Sequence, residues 1–164
     1  MMKVKNLSKG VFILLATLFC LYGFTKISDS KTYKCMIQMK NYSGEGAYIV
    51  ISLLKDGEYV ETLYVQGDDE DWYSDITEWW QFQGKVRRDI DAITGATVSG
   101  GNRTVSLLNI DNNKIDNGYK IRFESAVEDQ EYYKDDIEFD LTSENIKNKM
   151  EGKGFIRYIR LMPQ

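Results

Sequence analysis

The sequence has no histidine, one proline and two cysteines in 164 residues. Without histidine there is no Ser-His-Asp or Cys-His nucleophile and no His-ligated metal site. Cys20 and Cys35 are too few for a zinc cluster or a disulfide framework. A single proline excludes polyproline linkers and collagen-like repeats. No internal repeat is visible. The acidic run Asp68 to Asp71 lacks an ordered ligand spacing and reads as a solvated loop, so no metal site is expected. What is present, 28% charged and 13% aromatic residues, is the composition of a folding chain. The length suits one domain, or one domain plus an anchoring segment.

Lys3, Lys5 and Lys9 precede the apolar run Val11 to Phe24, and Lys26 closes it. A basic start followed by about a dozen apolar residues reads as a secretory signal. The run is short of the ~20 residues that comfortably span a bilayer, so a retained membrane anchor comes second. Residues 1–30 are therefore assigned as signal peptide or N-terminal anchor, and 31–164 as the exported domain. The expected location is periplasmic or extracytoplasmic, with anchoring to the inner membrane left open.

The first 30 residues hold four Lys and one Asp, so the net charge of −4 for the whole chain leaves −7 on residues 31–164. An acidic domain without a basic cluster repels phosphate backbones, which argues against nucleic acid as a partner. Cys35 alternates with Tyr33, Ile37 and Met39 and is expected to be a buried small hydrophobe, not a reactive thiol.

The exported part reads as strands and turns. Expected strands are Tyr33 to Met39, Tyr48 to Leu54, Tyr59 to Val65, Thr104 to Ile110, Tyr119 to Ala126, Tyr132 to Leu141 and Phe155 to Met162. Turns fall at Lys55-Asp56-Gly57 and Asp116-Asn117-Gly118. Seven short strands with short loops predict an all-β, immunoglobulin/fibronectin-like antiparallel β-sandwich. Two short helical pieces are added. Asp75-Ile76-Thr77-Glu78 reads as a capping box opening a helix through Trp79, Trp80 and Phe82, and Ser143 to Met150 as a turn or two of helix.

The chemistry-bearing stretch is Asp91 to Gly101, DAITGATVSGG, rich in small residues and hydroxyls. It is neither a Walker loop nor a dinucleotide fingerprint. It resembles the covalent flavin-attachment motif D-x-x-[ST]-G-A-[ST] of extracytoplasmic flavoproteins, which Asp91, Thr94, Gly95, Ala96 and Thr97 match. The resemblance implies a flavin transferase that joins FMN, through its phosphate, to the hydroxyl of Thr97. The residue types suit that chemistry, because a hydroxyl reached by a second enzyme needs uncrowded backbone, which Gly95 and Ala96 provide. Arg87, Arg88 and Arg103 flank the loop and could offset the acidic charge near a phosphate. A loop turned by Gly95, with Thr97 simply entering the next strand, is the plain alternative.

The wider pattern resembles a bacterial family of predicted periplasmic proteins, domain of unknown function 2271, over most of residues 44–130. The residues that carry it are Gly46-Ala47-Tyr48, Leu63-Tyr64, Trp72, Ile76, Trp79-Trp80, the Asp91 to Thr97 loop with Ser99-Gly100, Gly118-Tyr119, and Phe123 to Ala126 with Glu128. The resemblance implies an exported sandwich associated with flavin transferases and with PepSY-type membrane proteins that move electrons. The chain lacks the family's usual His after the last Glu and its Pro near the first Tyr. Residues beyond Leu141 fall outside this resemblance and receive no role.

Trp79 and Trp80 are candidates for walling the flavin ring, since flat rings stack on aromatic side chains. Being adjacent on a helix, they cannot both face one core. The function expected is an exported electron-transfer module carrying FMN and working with a membrane redox partner. The alternative is a cofactor-free envelope sandwich that binds another protein. Either is a carrier or binding module more than a stand-alone enzyme; a hydrolase built on the carboxylates of Glu124 and Glu128 ranks third.

Overall fold

The computed structural model describes residues 29–67, 69–85 and 94–164. The N-terminal signal or anchor segment, Asp91, Arg87 and Arg88 lie outside the described residues. Among those described, no helix is long and apolar enough to cross a membrane.

Among the described residues nine strands form two sheets packed face to face. They are β1 (Ser30–Met39), β2 (Tyr48–Lys55), β3 (Glu58–Gln66), β4 (Thr94–Gly95), β5 (Arg103–Asp111), β6 (Tyr119–Ala126), β7 (Tyr132–Asp140), β8 (Lys149–Glu151) and β9 (Ile156–Pro163). The first sheet runs β5-β1-β9-β8 and the second β4-β3-β2-β6-β7. Four strands in each sheet pair antiparallel, and the two-residue β4 joins the β3 edge in parallel. The chain folds as the expected all-β sandwich.

The alternation read from the sequence sets the main core. Tyr33, Cys35, Ile37 and Met39 of β1 face Ile49, Ile51 and Leu53 of β2 and Ile121 and Phe123 of β6 across the sandwich. Burial pushes the Cys35 thiol up to about 12, so this cysteine stays protonated at physiological pH. The β2–β3 hairpin turns at Asp56 and Gly57, both with positive φ (54° and 87°), the conformation that favours Asp-Gly in two-residue loops.

A second core covers the outer face of the second sheet. The segment of a 3-10 helix (Glu70–Asp75) and α1 (Thr77–Phe82) lays Tyr73, Ile76 and Trp79 on Tyr48, Val50, Val65 and Ala126. Strand β2 is thereby buried on both faces, from Tyr48 to Leu54, which explains why every residue of that run but Ser52 is apolar.

Three local expectations are corrected. The capping box does not form: α1 begins after Ile76, which makes no side-chain cap bond. Asp69 caps the preceding 3-10 helix through the Asp71 amide (3.0 Å), and Glu78 pairs with Lys134 (3.1 Å). The chain already coils before Asp75, so the cap position moves upstream. Second, Ser143 to Met150 holds only one 3-10 turn, Asn145–Lys147, and then turns into β8. Third, Trp79 and Trp80, expected to face different ways, both pack against the second core, since the half-buried Trp80 ring reaches Tyr73 at 6.4 Å between ring centres. The expected strand Phe155 to Met162 is β9, and with β8 it completes the first sheet.

Candidate functional site

The Thr-Gly-Ala-Thr loop is held at both ends by backbone. Gly95 pairs with Gln66, its carbonyl accepts from the Gly67 amide, and the Gln66 side-chain amide donates to the Ala96 carbonyl. On the other side Val98 forms an antiparallel bridge with Ala47, with amide-to-carbonyl distances of 2.8 and 3.2 Å. The Tyr42 hydroxyl reinforces that bridge, accepting from the Ala47 amide (2.9 Å) and donating to the Val98 carbonyl (2.5 Å). Between these anchors Ala96 and Thr97 are exposed.

Two glycines make room for this path. A Cβ on Gly46 would lie 2.7 Å from Thr97 Cβ and closer still to its hydroxyl, so the Thr97 side chain rests on bare backbone. A Cβ on Gly95 would collide with the Tyr64 hydroxyl. Arg103, exposed at the start of β5, donates from Nε to Gln38 Oε1 at 3.1 Å.

The tryptophan pair sits in the second core. Trp79 is 1% exposed and donates from Nε1 to Thr62 Oγ1 at 2.9 Å, while Trp80 is half-buried against the same core. Thr62 and the loop's partner Gln66 stand four residues apart on β3, roughly 13 Å. As packed, Trp79 presents no free face to a ring.

A second polar centre surrounds Glu124, whose partners no sequence motif marked. Glu124 on β6 is 0% exposed, beneath α1. The Tyr59 hydroxyl donates to its Oε1 at 2.6 Å, and the Tyr132 hydroxyl donates to its Oε2. Arg122 donates to Tyr59 (3.3 Å) and pairs with Glu138 (2.6 Å). Burial raises the Glu124 carboxyl to about 6 against the opposing pull of both phenols and Arg122. Burial, with the adjacent carboxylate, also drives both tyrosines upward, so they remain donors. Two clefts of about 410 Å³ flank this centre, one reaching Tyr59, Phe82 and Arg122 and the other Trp72, Glu128 and Tyr132.

The Glu124–Glu128 carboxylate pair does not assemble on a strand, because β6 ends at Ala126 and Glu128 follows in the loop. Both Glu124 oxygens are already engaged by phenols. Among the described residues no cluster of three or more carboxylate or thiol side chains could hold a metal ion.

A pH signature follows from Glu124. Below pH 4.5, folded and unfolded chains both hold its proton; between 4.5 and 6 only the folded chain does. Stability therefore falls as pH rises through that window and levels above it, by about 2 kcal/mol. Glu124→Gln removes this dependence while keeping one acceptor and one donor for the phenols. In urea titrations the difference between variant and parent should move by about 2 kcal/mol in favour of Gln from pH 4 to pH 7. Glu138 and Asp135, both lowered by cationic partners, contribute equally to each protein and cancel. A difference that stays flat with pH contradicts the assignment.

A family model described as a predicted periplasmic protein, DUF2271, matches residues 30–158. The match takes in β1, β7, β8 and the start of β9, beyond the 44–130 stretch that carries the sequence resemblance. No curated protein and no solved structure matches the chain.

Proposed function

The chain belongs to the DUF2271 family of predicted periplasmic proteins, and from that premise we propose that it is an extracytoplasmic electron carrier bearing FMN on Thr97. The observation that supports this reading is that Thr97 is an exposed residue, held between two backbone anchors with its side chain lying on Gly46. Such a residue is accessible to a modifying enzyme yet fixed in place. In the attachment, a bond forms between Thr97 Oγ1 and the FMN phosphorus of a flavin adenine dinucleotide. The pyrophosphate bond breaks, AMP leaves, and the hydroxyl proton passes to solvent or to the transferase. The bound flavin supplies the redox chemistry.

The chain's own residues do the holding. Gly46 and Gly95 leave space, and Tyr42 and Gln66 tie down the two flanks. Asp91 and Thr94 complete the motif as recognition residues for the transferase. With Trp79 enclosed in the second core, a ring-stacking contribution from this pair falls to Trp80. The electron donor is a membrane redox protein of PepSY type.

Intact mass and visible spectra of the full chain, co-expressed with a flavin transferase, test the reading. The expected gain is one FMN less one water, absent in Thr97→Ala. Gly46→Ala keeps the acceptor but pushes it off its seat, and the modified fraction should fall several-fold. A colourless, unmodified protein beside a flavinylated positive control overturns the reading and leaves the cofactor-free binding sandwich.

A further inference from the structure

The first sheet turns an unusual face outward. Strand pairing sets its residues in rows: Leu107, Lys34 and Met162 lie side by side, then Val105, Met36, Arg160 and Lys149, then Arg103, Gln38, Tyr158 and Glu151. Leu107 is 61% and Val105 47% exposed, and Lys34, Arg103, Lys149 and Arg160 are exposed beside them. The single carboxylate in these rows, Glu151, pairs with Lys149 at 2.8 Å. Among the described residues no carboxylate pairs with Lys34 or Arg160.

The opposite layer carries the reverse sign. Residues 69–82, which cover the second sheet, hold Asp69, Glu70, Asp71, Asp75 and Glu78 and no Lys or Arg. In a domain of net −7, a cationic, apolar face on one side and an acidic layer on the other make a dipole across the sandwich. Near a negatively charged plane this arrangement turns the first sheet inward and the acidic layer away.

We propose that the outer face of the first sheet, through Lys34, Met36, Arg103, Val105, Leu107 and Arg160, seats on an anionic phospholipid surface. Long cationic side chains reach phosphate headgroups while the apolar ones enter the interface. The face is a sheet surface, and the two clefts beside Glu124 open on the opposite layer. A planar partner suits it better than the pocketed anchor points of a protein interface. Reach is consistent too. Five residues separate the apolar run's end at Phe24 from Ser30, a span of at most about 22 Å of chain. While that run stays attached, β1 starts within headgroup distance, and tethering raises the local concentration of the face. The inference is independent of flavin attachment.

The test uses the full chain with Cys20→Ser, reconstituted in phosphatidylcholine vesicles with or without phosphatidylglycerol. Leu107→Cys reports the face and Gln81→Cys the opposite layer, each by its rate of reaction with a water-soluble maleimide. Cys35 is buried and stays silent. Phosphatidylglycerol should slow labelling at position 107 about fivefold, with recovery at high salt, and leave position 81 unchanged. Lys34→Glu with Arg160→Glu should abolish the protection. Equal labelling on both vesicles, or protection that survives charge reversal, overturns the proposal; the first result would return the face to a protein partner.

Discussion

Asp136→Ala is expected to cost the fold about 4 kcal/mol, a large share of the 5–15 kcal/mol that holds a domain of this size. Asp136 lies on β7 and is 1% exposed. Its carboxylate accepts from the amides of Gly154 (2.7 Å) and Ile156 (2.8 Å) and from the Ser125 hydroxyl (2.5 Å). Those amides belong to the turn between β8 and β9 and to the first residue of β9 in the first sheet, so one side chain of the second sheet staples the two layers. The same strand adds a backbone bond from the Lys153 amide to the Asp136 carbonyl (3.0 Å) and the Lys153–Asp135 ion pair (2.7 Å). The exposed ion pair matters little.

Alanine at 136 leaves two buried N–H groups without acceptors, at about 1–3 kcal/mol each, and strips the serine of its partner. Asparagine keeps one oxygen but turns an NH₂ group toward a donor, so it should recover less than half the loss. Solvent cannot repair the gap, because the turn is packed: a Cβ on Gly152 would sit 2.6 Å from the carboxylate, and one on Gly154 would strike the Tyr133 ring. Urea unfolding gives the magnitude, and amide exchange at Gly154 and Ile156 gives the place. A loss under about 1 kcal/mol, with both amides still protected, shows that the staple is not structural.

The difference between what could be read from the sequence and what could not is instructive at this residue. Strand β6 has the bounds expected, Tyr119–Ala126, because its apolar residues alternate and Asp-Asn-Gly turns the chain before it. Asp135-Asp136 within β7 carries no such signal; two adjacent acids in a strand read as solvent-facing. The partners that make Asp136 a buried anchor lie 11 to 20 residues away and contribute mainly backbone, which has no side-chain signature. Strand β4 exists only through its pairing with Val65 and Gln66, and β8 only through β9, so neither has a pattern of its own.

The candidate sites divide the same way. Thr97 could be picked out because a modifying enzyme must read a local string of residues, and a local string is visible in sequence. Glu124 was visible as a carboxylate, but its partners were not. Tyr59 stands 65 residues away on another strand, and only the fold brings it to the carboxylate. The apolar run of β2, broken only by Ser52, fits a strand covered on both faces, and the aromatic segment after Asp71 is the cover of the outer one.

Trp79 is the residue through which that cover is attached, and Trp79→Ala should cost about 3–5 kcal/mol. Helix α1 has six residues, too few to be stable alone, so its helicity depends on what it buries. Trp79 packs edge-on against Tyr73 (5.3 Å between ring centres) and beside Trp80 (6.5 Å), over Val50 and Val65. Its indole N–H is satisfied by Thr62. Phenylalanine keeps a ring but loses that bond and part of the volume, so Trp79→Phe should retain the segment at a cost of about 1–2 kcal/mol. Alanine leaves a cavity that a six-residue helix cannot close. Residues 70–82 should then lose amide protection before the rest of the sandwich does, and water should reach Glu124. Hydration removes the cause of its raised pKa, so the pH dependence between 4.5 and 6 should weaken in Trp79→Ala and persist in Trp79→Phe. If Trp79→Ala unfolds at nearly the parent's urea midpoint and keeps the full Glu124 signature, the segment is held by other contacts. Trp79 would then be free to serve the flavin.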